Sequence, residues 1–247
     1  MITVILRKEL QMLLISPIAW ILLTLGQFIF TWAFLGRLDA FLEIQSQLLQ
    51  LANPPGVTEV IISPLFALAA IVLLMITPIL AMRLLAEERR NHTLALLMSA
   101  PVSKTDIVIG KFLSLFLFFL ILITSLIVLS LLLLLGGTLD FGLLASNVLG
   151  LVLLAASFAA VGLYISSLTA QPVVAAIGSL GVLLSFWIID FAADESHAWL
   201  HHISLLKHFE RFNQGLIDTF SIAYFILLMM MCLALTIHRL NAEHLHE

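Results

Sequence analysis

The chain has 247 residues, of which 62% are hydrophobic and 11% are charged, and its mean hydropathy is +1.16. Soluble globular domains carry about 25% charged residues, so a single soluble core could not bury this much apolar surface. The composition therefore predicts a protein that resides in lipid. It excludes a cytosolic enzyme, a nucleic-acid-binding protein and a disordered protein. The formal net charge is −4, so the chain has no excess of positive charge with which to bind a polyanion.

Six segments without Asp, Glu, Lys, Arg or His are long enough to cross a bilayer, which takes about 20 apolar residues. They do not show the alternation of apolar and polar residues that is typical of membrane β-strands. We therefore predict an all-α integral membrane protein with six transmembrane helices, forming one transmembrane domain over residues 1–247. The predicted spans are 18–35, 64–82, 112–135, 143–165, 173–189 and 220–237.

The distribution of positive charge predicts the orientation of these spans. If the N-terminus is cytoplasmic, eight of the eleven Lys and Arg residues fall on the inner side. Because cytoplasmic loops carry an excess of Lys and Arg, this bias favours an N-in/C-in topology. The eight inner cations are Arg7, Lys8, Arg83, Arg89, Arg90, Lys104, Lys111 and Arg239.

The residues before the first span have an amphipathic pattern. Ile2, Leu6 and Leu10 share one helical face, and Ser16-Pro17 breaks the helix before the first span. This pattern predicts that residues 1–17 form a helix lying in the cytoplasmic interface. A plain helical start to the first span is the alternative.

Residues 83–111, here called the inner segment, combine nine ionisable groups with apolar side chains. The second span is expected to continue as a helix to Met98, and Pro101 to end it. Ser103-Lys104-Thr105-Asp106 is a capping-box pattern that begins a new helix. A bare solvated loop would not need leucines here, whereas a docking surface for a cytoplasmic partner would.

The fourth and fifth spans contain clustered small residues, including Ala155, Ala159, Gly162, Gly178 and Gly181. Such residues let helix backbones approach closely. The close contact could lie within the chain or at the seam of a dimer or translocation pathway, and the sequence leaves both open.

Several chemical sites can be tested against the sequence. The only Gly-Lys pair, Gly110-Lys111, has Thr105 at the first glycine position of an ATP-binding loop and Phe112 after the lysine, so the loop cannot be assembled. The six spans lack ionisable residues, which argues against a proton antiporter and an intramembrane protease. Sodium binding through backbone carbonyls stays open.

A metal site is also weakly indicated. His197 and His201 are four residues apart, as two zinc or copper ligands on one helix face would be. The sequence lacks an accompanying Cys or HExxH pattern, so we interpret these histidines as residues of an amphipathic interfacial helix. We predict no catalytic residue, no cofactor-binding residue and no metal ligand in this chain.

The inner segment resembles that of ABC-2-type transporter permeases, whose form is roughly E-E/K-x-x-G-T-L-E-L-L-L-x-x-P-V-S, ending in G-K. His92 stands where glycine is usual, and Ala95 where glutamate is usual. The resemblance extends over nearly the whole chain. Its motifs nearest the C-terminus look most like the gliding-motility-associated branch of this family. It rests on Ser16-Pro17, Met82-Arg83, Ala86-Glu87-Glu88-Arg89-Arg90, Thr93-Leu94, Leu96-Leu97, Pro101-Val102-Ser103, Ile107-Val108-Ile109-Gly110-Lys111, residues 162–169, His208-Phe209 and Gly215-Leu216-Ile217-Asp218.

The resemblance implies the fold and partners of such permeases. It implies an interfacial N-terminal helix, six spans, a coupling helix between spans two and three, and a re-entrant pair of short helices within 190–219. Two permease subunits, identical or paralogous, would associate with two cytoplasmic ABC ATPase subunits in the bacterial cytoplasmic (inner) membrane. ATP and magnesium would be held by the ATPase, so this multi-pass chain would not be an enzyme.

We therefore expect the permease subunit of an ATP-driven exporter, in contact with membrane lipid and not with nucleic acid. The alternatives are a membrane scaffold or assembly subunit that docks a cytoplasmic partner without transport, and a sodium-coupled carrier. The residues expected to couple the chain to the ATPase are Glu87, Glu88, Arg89, Leu94, Leu97, Pro101, Val102 and Ser103.

Overall fold

The computed structural model describes residues 2–48, 56–91, 93, 103–135, 139–192 and 204–243. Every regular element in these ranges is a helix, which confirms the predicted all-α class. We number the α-helices in chain order: α1 Ile2–Ile15, α2 Pro17–Leu48, α3 Ser63–Leu84, α4 Ala86–Arg90, α5 Lys104–Leu131, α6 Phe141–Leu168, α7 Pro172–Ala192, α8 Leu205–Asn213 and α9 Thr219–Glu243. A π-helical turn, Thr58–Ile62, precedes α3, and a 3₁₀ turn, Leu132–Leu135, follows α5.

Five helical stretches within the described residues are long and apolar enough to cross a membrane. The predicted fifth span, 173–189, falls in α7, whose apolar part Pro172–Ile188 is shorter than the others. The chain is therefore a multi-pass membrane protein by length and composition, and the count of six spans stays a prediction. The five stretches are Pro17–Ile44, Thr58–Arg90, Lys104–Leu135, Phe141–Leu168 and Thr219–Ala242.

The chain bends between α1 and α2, at the predicted Ser16-Pro17 break. Pro17 has no backbone N–H and disfavours helical geometry at the residue before it. α2 then continues to Leu48, well past the predicted end of the first span at residue 35. Its 32 residues correspond to about 48 Å of helix, which exceeds the roughly 30 Å hydrocarbon core of a bilayer. The helix is therefore longer than the thickness of a bilayer core.

α3 and α6 form the centre of the bundle. In the most apolar 18 residues of each stretch that contains α3 or α6, 67% of the residues are buried. The corresponding shares are 28% for α2 and 22% for α9. The small residues of α6 allow this packing: Ala155 and Ala159 are fully buried, and a Cβ added to Gly162 would lie 2.7 Å from Ala81 Cβ on α3. The small residues of the fourth span therefore serve packing within the chain.

Candidate coupling site

Four of the eight predicted coupling residues belong to the described part of the inner segment. Glu87, Glu88 and Arg89 lie on α4, and Ser103 lies directly before α5. The other four, Leu94, Leu97, Pro101 and Val102, fall outside the described residues.

The helix of the second span is interrupted at Leu85, between α3 and α4. Leu85 has φ −125° and ψ −43°, which departs from helical geometry. The backbone N–H groups of Leu85 and Ala86 donate to Ser166 Oγ at 3.3 and 3.0 Å. Because this hydroxyl on α6 binds N–H groups at the break, α4 starts as a separate helix and ends at Arg90. The prediction of one continuous helix is therefore wrong at Leu85, and the predicted end of that helix, residues 94–98, lies outside the described residues.

Arg83, in the last turn of α3, connects the inner segment to the start of the chain. Its Nη1 donates to Ser16 Oγ at 2.6 Å, at the bend between α1 and α2. Its Nε lies 3.8 Å from Glu87 Oε2, one helical turn further along the chain. This guanidinium therefore contacts both the α1–α2 bend and α4.

Lys111 is the centre of a buried ion-pair cluster. Its side chain is fully buried, and its Nζ lies 2.8 Å from Glu88 Oε1 and 3.1 Å from Glu9 Oε1. The side chains of Glu9 and Glu88 are only 7% and 14% exposed. The cluster joins three elements, because Glu9 is on α1, Glu88 on α4 and Lys111 on α5. A buried ammonium needs such partners, since an unpaired charge away from water is very unfavourable.

Glu9 is not among the residues predicted from the sequence, although its position carries a signal. Ile5, Glu9 and Leu13 are spaced at i, i+4 and i+8, and all three are buried. The buried face is therefore next to the predicted one, since Ile2, Leu6 and Leu10 are only partly buried. A glutamate on the apolar face of an amphipathic helix is a candidate partner for a buried cation. That face packs on α5 through Gly110, where an added Cβ would lie 2.8 Å from Ile5 Cγ2. The Gly110-Lys111 pair therefore has a structural role at the α1–α5 contact.

α5 begins at Lys104, where the capping-box pattern predicts a helix start. Ser103 has the extended backbone of an N-cap residue, with φ −66° and ψ 139°. Its hydroxyl makes no capping hydrogen bond and instead pairs with Thr105 Oγ1. Asp106 lies in the first turn, where a negative charge stabilises a helix.

A cleft of about 530 Å³ separates α1 from the end of α3 and from α4. It adjoins the Lys111 cluster, because Glu9 and Glu88 both contribute to its walls. The α1 side of the cleft is formed by Lys8, Glu9, Met12 and Leu13, and the opposite side by Arg83, Leu84, Glu87, Glu88, Asn91 and Thr93.

At the opposite end of the bundle, α8 packs against α6 through one apolar face. Leu205, Phe209 and Phe212 are buried, and so is His208, which stacks on Tyr224 with ring centroids 4.5 Å apart. His208 Nδ1 and Ser221 Oγ are 2.9 Å apart. His197 and His201, which the sequence led us to interpret as interfacial residues and not as metal ligands, lie outside the residues that the structure describes. Within the described ranges, no three His, Cys, Asp or Glu side chains are grouped as metal ligands would be.

A comparison with known families covers almost the whole chain. The sequence model described as "ABC-2 family transporter protein" matches residues 3–243. The chain belongs to this family. A comparison with curated proteins found no match. As an ABC-2 membrane protein with several apolar helices, the chain is a transmembrane component of a transport system, a class that is generally non-catalytic. The resemblance carried by the inner segment therefore identified the family correctly.

Proposed function

We propose that this ABC-2 protein is the permease subunit of an ATP-binding-cassette exporter, and that its inner segment couples it to a separate ABC ATPase. The observation that carries the proposal is the position of α4. This short helix is joined to α6 through Ser166 and to α5 through Lys111. A displacement of α4 by a cytoplasmic partner would therefore be transmitted directly to two spans.

The charges of α4 suit a docking element. Glu87 is 45% exposed at its side chain, so it is accessible to a partner, whereas Glu88 points to the buried Lys111. Arg89 and Arg90 follow within the same helix. The proposed coupling surface thus has one side that contacts the bundle and one side that contacts the ATPase. We place Leu94, Leu97, Pro101, Val102 and Ser103 in the same surface.

The full assembly that we propose contains two permease subunits and two ATPase subunits in the bacterial inner membrane. ATP and magnesium bind to the ATPase, and the permease pair, identical or paralogous, forms the translocation pathway. A single chain of this size encloses little of a pathway, which supports a dimer. We propose that the chain has the N-in/C-in topology, so that the inner segment faces the cytosol. We also propose that the chain is a member of the gliding-motility-associated branch of the family.

The test is co-purification of the tagged chain with a candidate ABC ATPase from the same operon. Arg89→Glu combined with Leu97→Asp reverses a charge and removes an apolar contact in the inner segment. The matched control, Arg37→Glu with Leu42→Asp, makes the same two changes in the outer part of α2, where both residues are exposed.

We expect the inner variant to retain less than about one tenth of the ATPase and the control variant to retain all of it. Equal retention by both variants would contradict the assignment of the coupling surface. ATPase binding without any effect of the chain on ATP hydrolysis would instead favour a scaffold.

A further inference from the structure

We infer that Glu9 is a further residue of the coupling site: a positioning residue that keeps buried Lys111 paired when Glu88 separates from it. The inference rests on the proposed function, because it requires α4 to move during ATP hydrolysis. It extends the coupling machinery to α1, which lies about eighty residues away from α4 in the sequence.

At this end of the bundle the helices form two groups. α1 is docked on α5, because Ile5 contacts Gly110 and Glu9 pairs with Lys111. α4 is docked on α6, because Ala86 donates its backbone N–H to Ser166. The ion pair between Lys111 and Glu88 bridges the two groups.

The cleft lies between these groups, so α4 has open space on the side that faces α1. Glu88 belongs to a five-residue helix beside this space, whereas Glu9 lies in a 14-residue helix between two buried apolar residues, Ile5 and Leu13. Of the two carboxylates that share Lys111, Glu88 is therefore the one that can leave.

A lysine with one carboxylate would resist this separation, because breaking the pair would strand a buried ammonium. Glu9 removes that barrier. Its Oε1 already lies 3.1 Å from Lys111 Nζ, so the charge stays paired when Glu88 moves away with α4. The second carboxylate thus allows the bridge to open and close in each cycle.

The experiment measures ATP hydrolysis by the complete permease–ATPase complex in lipid nanodiscs. Glu9→Gln keeps the size of the side chain and removes its charge. We expect the maximal rate of hydrolysis to fall at least tenfold, with the KM for ATP and the amount of bound ATPase unchanged. Glu9→Asp, which restores the carboxylate, should recover the rate to within about threefold of wild type. Glu43→Gln, the same charge removal at an exposed position of α2, is the matched control and should leave the rate unchanged.

A second variant separates this role from a purely structural one. The triple variant Glu9→Gln, Lys111→Met, Glu88→Gln contains no buried charge to strand, so we expect it to hydrolyse ATP faster than Glu9→Gln alone. A residue that only supports packing would make the triple variant slower than the single one, and that result would overturn the inference.

A Glu9→Gln complex with the wild-type rate would also overturn the inference, while the proposed function would stand. If the wild-type chain binds no ATPase, the proposed function fails and the inference fails with it.

Discussion

Ser166 on α6 accepts the backbone N–H of Ala86 at 3.0 Å, at the point where the helix of the second span is interrupted. A buried N–H without an acceptor costs about 1–3 kcal/mol. We therefore expect Ser166→Ala to lower the free energy of unfolding by roughly that amount, measured by denaturation in detergent. Ser167→Ala is the control, because the Ser167 hydroxyl donates to Tyr164 O within its own helix. Equal losses for the two variants would contradict the role given to Ser166.

The close approach of α3 and α6 gives a second prediction. A methyl group at Gly162 would lie 2.7 Å from Ala81 Cβ, so Gly162→Ala should destabilise the chain by about 1–3 kcal/mol through overpacking. Adding Ala81→Gly should recover part of the loss. Gly181→Ala on α7 is the matched control, because nothing lies within 4 Å of its added Cβ. If the two alanine variants have the same thermal midpoint, the packing described here is wrong.

The buried and exposed ion pairs should differ strongly in energy. Lys111→Ala leaves the buried Glu88 without this cation and leaves Glu9 only the half-exposed Lys8 ammonium, 3.8 Å from its Oε1, so we expect a loss of about 3–5 kcal/mol. The pair of Arg211 and Asp218 is more than one third exposed at both side chains, so Arg211→Ala should cost at most about 1 kcal/mol. Thermal unfolding of both variants in the same detergent tests this order, and a reversed order would contradict the buried cluster.

The topology can be tested by cysteine labelling in a Cys232→Ala background. Thr93 and Glu59 are both exposed, and they lie beyond opposite ends of α3. With the N-terminus inside, an impermeant maleimide added to intact spheroplasts should label Glu59→Cys and spare Thr93→Cys until the membrane is opened. Labelling of Thr93→Cys alone would show the opposite orientation.

The all-α class followed from composition, because apolar runs of this length can only be helices in lipid. The start of α5 was also predictable, since Ser103 and Asp106 carry a local signal. The break at Leu85 was not, because it depends on a hydroxyl about eighty residues away, at Ser166. The pairing of Glu9 with Lys111 spans 102 residues, and only the unusual position of an acid on an apolar helix face hinted at it.

The central claim is that the inner segment contacts an ABC ATPase, and site-specific photo-crosslinking in living cells tests it most directly. A photoreactive amino acid is placed at Thr93, beside α4, or at Gln214, an exposed residue at the opposite end of the bundle. The account predicts a crosslink to the ATPase from residue 93 and none from residue 214. An ATPase crosslink from residue 214, or none from residue 93 in a complex that co-purifies, would contradict it.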